Sequence, residues 1–207
     1  ADKLYMLNIQ ASDVSILNLC LDGNREAVSG MHTGMLVDYT TRLTIDHVWL
    51  QNFTEDGLIG TSSELHLTDS FFYNISDDGA DVNGFEYSVI ASCTFKDIGD
   101  NGIDTDGAIH SSITGNTLNT CGNAGVELEQ ETNPGYTEYC TASNNTMKDC
   151  GIGILLNSGR YNSITGNVML DCTIGIHIMA DDTYYSTHNV ITGNNINTDL
   201  RVKRAYL

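Results

Sequence analysis

A single proline, Pro134, stands in a chain of 207 residues. Its near-absence excludes a proline-rich linker or tail, and a chain of this length buries a real core, so residues 1–207 are expected to form one domain, on their own or as a module within a longer polypeptide. Basic residues are almost as scarce: 9 Lys and Arg stand against 27 Asp and Glu, a net charge of −18. That balance repels nucleic acid and anionic membranes and excludes both as partners, but suits a divalent cation or a neutral or cationic ligand. No apolar run approaches the roughly 18 residues that a membrane-spanning helix needs. No paired C-x-x-C motif points to zinc, no D-x-D-x-D-G loop points to an EF-hand, and no signal peptide is visible ahead of "ADKLY".

What is present is glycine, 20 residues of it, and it keeps a beat. Gly57 in "EDGLIGT" is followed by Gly79, Gly102, Gly125, Gly153 and Gly175, and Gly34 precedes it. The step between them is nearly constant and lengthens once, between Gly125 and Gly153. A second series runs in step, from "LTIDHVWLQN" through "LHLTDSFFYN", "SITGNTLNT" and "SITGNVMLD" to "VITGNNIN". Within each unit the apolar residues alternate with period two, the signature of a strand. Leu58, Ala80, Ile103, Val126, Ile154 and Ile176 follow the reference glycines; Ile45, Leu67, Ile90, Ile113, Ile164 and Ile191 open the second segment. Further along the same segment come Leu50, Phe72, Phe95, Leu118, Met169 and Ile196. Short strands on a period of about 22–23 are coils of a solenoid, each unable to bury its inner face alone. The expected fold is all-β: a right-handed parallel β-helix of about eight coils.

"NSITGNVMLDCTIGIHI" and "SSITGNTLNTCGNAGVEL" resemble the repeats of the pectin-lyase-like β-helix superfamily, with its carbohydrate-binding and sugar-hydrolase repeat proteins. The resemblance covers nearly the whole chain and implies the architecture; the same coils serve lyases, hydrolases, epimerases, phage tailspikes and non-catalytic surface proteins.

Stacking converts sequence positions into columns. Asn116, Asn145, Asn167 and Asn194 share one, continued by Cys93 and Ser70, where side-chain amides can satisfy turn backbone. Cys121, Cys150 and Cys172 share another, in line with Phe53, Ile75 and Ile98. Thiols there act as small hydrophobes. A Cys150–Cys172 bridge is within reach at about 4.8 Å between coils, but three members favour free thiols. Sequons occur at Asn52, Asn74 and Asn144.

The positions two and four residues past each glycine face outward. The first column reads Ile59, Asp81, Asp104, Glu127, Leu155, His177; the second reads Thr61, Asn83, Asp106, Glu129, Asn157, Met179. Asp77, Asp78 and Asp100 lie on the turn at the edge. Like charges so stacked repel, and water, protonation or a cation must relieve them. A solvated acidic surface is the plain reading. A ligand groove is the other, because extra chain at "EQETNPGYTEYC" and "MADDTYYSTHN" follows the same strands and carries Tyr136, Tyr139, Tyr184 and Tyr185 beside the acids. The superfamily resemblance further implies polysaccharide bound along this face. Neighbouring carboxyls at strand spacing match the separations used by glycosidases, and crowding raises the pKa that a general acid needs. Asp81, Asp104, Asp106, Glu127 and His177 are therefore the acid–base candidates. Glu129, Tyr136, Tyr139, Asn157, Tyr184 and Tyr185 are the substrate-binding candidates. Asp104, Asp106, Glu127 and Glu129 are candidate Ca²⁺ ligands, though no cofactor is required.

Polygalacturonases place aspartates on adjacent coils, and "DDGAD" and "NGIDTD" are similar in composition, but the family's later His-Gly and Arg-Ile-Lys motifs have no match. "NGIDTD" also resembles the Gly-hydrophobic-Asp-x-His strand of alginate epimerases, with Asp106 where the histidine stands. The sequence thus points to an extracellular polysaccharide-binding protein that processes its ligand as a hydrolase, lyase or epimerase. The alternative is a non-catalytic spike, filament or cell-surface module, associating end to end or as a homo-oligomer through uncapped coils.

Overall fold

The structure is a computed structural model and describes residues 4–24, 30, 32–130, 137–180, 185–202 and 205–206. The described residues contain strands and turns without a helix, and every paired strand is parallel. One eight-stranded sheet gives the coil count directly. It stacks Cys20–Asp22, Trp49–Phe53, Phe71–Ile75, Thr94–Ile98, Thr117–Cys121, Thr146–Lys148, Val168–Leu170 and Asn195–Ile196, one strand per coil.

A 15-stranded sheet forms most of the remaining wall. Its long strands His32–Asp46 and Leu58–Thr68 run across two faces without a break. Above them the sheet divides. An acidic arm continues through Ala80–Asn83, Ile103–Asp106, Ala124–Glu129, Ile152–Asn157 and Ile174–Met179. A hydroxyl-rich arm continues through Val89–Ala91, Ser112–Thr114, Thr141–Ser143, Ser163–Thr165 and Val190–Thr192. A small sheet of Thr137–Glu138, Gly159–Arg160, Ser186–Thr187 and Ala205–Tyr206 fills the corner between the arms in the later coils.

The core is the stack of inward residues. Leu58, Ala80, Ile103, Val126, Ile154 and Ile176 are fully buried in a line, facing Leu50, Phe72, Phe95, Leu118, Met147 and Met169 from the opposite sheet. Phe72 and Phe95 stack at 4.5 Å. Each of these side chains other than Ala80 contributes about 1.5–3 kcal/mol relative to exposure. The reference glycines exist because the two walls come close at that point. A Cβ on Gly102 would lie 2.5 Å from Leu118 Cδ2 and 2.8 Å from the carbonyl of Gly125.

Turns are held by amide ladders. Asn116 donates from Nδ2 to Asn145 Oδ1 at 3.0 Å, Asn145 to Asn167 at 3.1 Å, and Asn167 to Asn194 at 2.9 Å. Each also binds backbone of the preceding coil, as Asn145 does to the carbonyl of Ile113 at 2.9 Å. At another corner Asn74 Nδ2 donates to Asn52 Oδ1 at 2.6 Å and Asn52 to Asp22 at 2.9 Å, so the amides of two sequons are already engaged. All six cysteines are free thiols, and only Cys20 is exposed.

Candidate active site

Backbone register makes the acidic strip. Ile59 pairs with Asp81, Asp81 with Asp104, Asp104 with Glu127, Glu127 with Leu155, and Leu155 with His177. The second column pairs Thr61 with Asn83, Asn83 with Asp106, and Asp106 with Glu129. Neighbouring members are therefore one strand spacing apart, about 4.8 Å. Three carboxylates of the preceding turn, Asp77, Asp78 and Asp100, bring oxygens within 4.8 Å of one another beside this strip.

The strip faces outward as its register dictates, but it is not the freely solvated acidic surface of the plain reading. Glu127 is 7 % exposed, and Asp104 and Asp106 are half-buried. Burial disfavours the charged form of a carboxyl, and like-charged neighbours add to it. Burial first, then Glu127, Asp78, Asp106 and Asp81, pushes Asp104 up to about 9. Burial, then Glu129 and Asp100, pushes Glu127 up to about 7. Asp78 is pushed up to about 8, again mainly by burial. Asp100 is raised by burial and by Asp77. Crowding, which the sequence offered as the cause, comes second to desolvation.

One residue organises these acids and was missed from sequence. Asn101 is 3 % exposed and sits where the turn enters the Asp104 strand. Its backbone NH donates to Asp78 Oδ1 at 2.7 Å, its Nδ2 donates to Asp104 Oδ2 at 3.2 Å, and its Oδ1 accepts from the NH of Ala124 at 2.9 Å. A side-chain hydrogen bond from Asn101 also opposes the rise at Glu127. Asp104 Oδ1 is buried and accepts no hydrogen bond within the protein. The signal available in sequence was an Asn preceding Gly102 at the mouth of the strand, indistinguishable there from ordinary turn chemistry.

The remaining candidates fall into place unevenly. Glu129 Oε1 accepts from Asn157 Nδ2 at 2.9 Å, so these two meet on adjacent strands. His177 lies on the same column, but Leu155, itself 7 % exposed, stands between it and Glu127. His177 is thus paired across strands with Leu155 and Arg201, and no acid is its direct neighbour on this column. Tyr136 and Tyr184 lie outside the described residues. Tyr185 is 44 % exposed, ahead of the strand Ser186–Thr187. Tyr139 does not wall the strip. It is the middle ring of a corner stack, Tyr87, His110, Tyr139, Tyr161 and His188, in which each ring lies 4.9 to 5.3 Å from the next and within 23° of parallel to it. All five have positive φ, the left-handed conformation that turns the chain at this corner.

The four expected Ca²⁺ ligands do not form the oxygen-rich triads of the described residues. Those triads are Asp77, Asp78 and Asp100; Glu55, Asp56 and Asp77; and Asp46, His47 and Asp69.

The profile of the family described as right handed beta helix region matches residues 7–145 and 57–200. The chain belongs to this family. A search of curated proteins by sequence gives no match. Among solved structures, the alginate lyase of Paenibacillus sp. str. FPU-7 is similar at a TM-score of 0.69 and 12 % identity, over 97 % of this chain and 74 % of that one. The Dettilon tailspike protein is similar at 0.67 and 13 %, over 92 % of this chain and 48 % of that one. A mutant of the periplasmic alginate epimerase AlgG is similar at 0.66 and 12 %, over 83 % of this chain and 46 % of that one. The chain therefore spans less than half the length of the latter two. At such identity the likeness shows the fold, a right-handed β-helix.

Proposed function

We propose that this β-helix acts on a polysaccharide outside the cytoplasm, with Asp104 carrying the proton as general acid and Glu127 serving as the base. One observation carries the reading. The two carboxyls are direct cross-strand partners whose environments set them apart, at about 9 and about 7. Paired carboxyls with separated proton affinities are how one site supplies an acid and a base at neutral pH. Asn101 orients the acid, and Asp78, also holding a proton near neutrality, lessens the repulsion that a carboxylate-bearing sugar meets there. The similar folds of an alginate lyase and an alginate epimerase support a glycan as substrate, and the periplasmic location of that epimerase supports an extracytoplasmic site of action.

The test is a screen of polyuronates and neutral glycans, with and without Ca²⁺, for reducing ends, unsaturated products and epimerised residues, run alongside Asp104→Asn and Glu127→Gln. Product lost in both variants supports the assignment. Product that survives both substitutions overturns it. A second reading, a non-catalytic rod, is favoured by Leu155, which seals the strip on its later side. No product together with concentration-dependent assembly supports that reading.

A further inference from the structure

Sulfur gathers in one part of the core. Cys121, Cys150 and Cys172 stack as a buried column where earlier coils hold Phe53, Ile75 and Ile98. The NH of Gly151 donates to the carbonyl of Cys121 at 3.1 Å, and the NH of Thr173 to that of Cys150 at 3.1 Å. The Cys150 thiol hydrogen-bonds with both of its neighbours in the column. The adjacent core column changes in the same coils: Phe72, Phe95 and Leu118 give way to Met147 and Met169, both fully buried. The two columns meet along the line of reference glycines. A Cβ on Gly102 would lie 2.5 Å from Leu118 Cδ2 and 3.1 Å from Cys121 Sγ. On Gly125 or Gly153 it would lie 2.5 Å from Cγ of Met147 or Met169.

Spacing decides what this column can hold. Side chains stacked in register keep roughly the 4.8 Å between coils at Cβ, beyond the roughly 3.5–4.5 Å that a disulfide needs there. Two metal–sulfur bonds of about 2.3 Å laid end to end span about 4.6 Å, which fits the gap between stacked thiols without moving the backbone. Zinc needs four ligands around one point, whereas these thiols stand in line and do not close on a common centre. A soft cation that accepts two thiolates in line is what the column suits. An open groove of about 640 Å³ reaches it from outside, lined by Cys121, Cys150, Asp171 and Thr173, with Gly122 and Gly151 leaving the thiols without a side chain over them.

We propose that Cys150 and Cys172 form a site for one soft monovalent cation of the Cu⁺ class, held in line between their sulfurs. Cu⁺ displaces both thiol protons, which leave through the groove to water: Cu⁺ and two R–SH become [Cu(SR)₂]⁻ and two H⁺. No electron is transferred. This gap is preferred to the one between Cys121 and Cys150 because both of its coils carry a methionine in the adjoining column, whereas the Cys121 coil carries Leu118. Thioethers are soft donors like thiolates, and their flexible stems repack around an added atom more easily than a ring does. The acidity of the chain, 27 Asp and Glu against 9 Lys and Arg, raises the local concentration of any cation near it. The site lies in the core and stands whether or not the acidic strip is catalytic.

The test adds Cu⁺ to the intact, reduced chain without oxygen, in competition with a colorimetric Cu⁺ chelator. One ion per chain is expected to bind tightly, with an ultraviolet thiolate–copper charge-transfer band and release of two protons. X-ray absorption at the copper edge should show two sulfur neighbours in the parent chain, a readout that needs no variant. Zn²⁺ should bind at least about a hundredfold more weakly. Cys150→Ala and Cys172→Ala should each weaken Cu⁺ binding at least about a hundredfold, while Cys121→Ala and Cys20→Ser should stay within about threefold. Oxygen or nitrogen neighbours at the copper edge, equal binding of Zn²⁺, or unchanged affinity in Cys150→Ala or Cys172→Ala overturns the proposal. So does loss of binding in Cys121→Ala or Cys20→Ser, which would put the ion elsewhere. None of these readings depends on glycan turnover, so failure of the catalytic reading and failure of this one are told apart.

Discussion

Asp104 and Glu127 stand directly opposite each other on adjacent parallel strands, and both keep a proton far above the pH at which a free carboxyl releases it. The pairing comes from register, since residues one period apart in sequence become neighbours, and the proton retention comes from burial.

Stability should fall as pH rises. Unfolded, Asp104 ionises near 3.8, but folded it holds its proton to about 9. Glu127 ionises near 4.5 unfolded and near 7 folded. Across those intervals the unfolded chain binds fewer protons than the folded one, so the contribution of these groups is complete below about pH 4 and lost as pH climbs through the folded values. Denaturant unfolding between about pH 5 and 9 should show this decline, and Asp104→Asn and Glu127→Gln should each flatten it. A profile as steep in both variants as in the parent would refute the assignment.

The asparagine ladder should be costly to interrupt. Asn145 accepts from the NH of Asn116 at 2.9 Å and donates to the carbonyl of Ile113, all in buried surroundings. Asn145→Ala leaves those backbone groups unpaired, and a loss of about 2–4 kcal/mol is expected at this cost per group. Urea titration measures it.

Gly102→Ala should destabilise without touching any charged residue. The added methyl meets Leu118 and the Gly125 carbonyl closer than any atom can stay, and overpacking of this kind costs about 1–3 kcal/mol. Gly115→Ala is the contrast: nothing lies within 4 Å of its Cβ position, so any loss there reflects its φ of 67° alone. Thermal melts of the pair separate crowding from backbone strain.

Thiol titration should count one and then six. Only Cys20 is exposed, and burial pushes the Cys93 and Cys140 thiols up to about 12 and about 11, so they resist becoming the reactive thiolate. A thiol reagent should label one cysteine in the native chain and all six after denaturation. Fewer than six after denaturation would reveal a disulfide.

The columns were legible because period-two alternation and a constant step are local arithmetic. Ile59, Asp81, Asp104, Glu127, Leu155 and His177 align in the structure as that arithmetic orders them. Depth was not legible. An outward position on a strand reads as exposed, yet Glu127 is buried, because exposure depends on what neighbouring coils and turns place above it. Corners were the other blind spot. Tyr139 read as part of an insertion, and only the three-dimensional turn lines it up with His110 and Tyr161. Asn101 looked like any turn asparagine, since it belongs to no repeating column of its own kind.

The regular register has one more consequence. Excision of residues 103–125 would join Gly102 to Val126, a deletion of one whole period that leaves every inward column unbroken and brings Glu127 into line with Asp81. The chemistry of this surface is thus indexed by whole coils, so that gain or loss of a single unit exchanges the partners of a carboxyl while the scaffold beneath it stays the same.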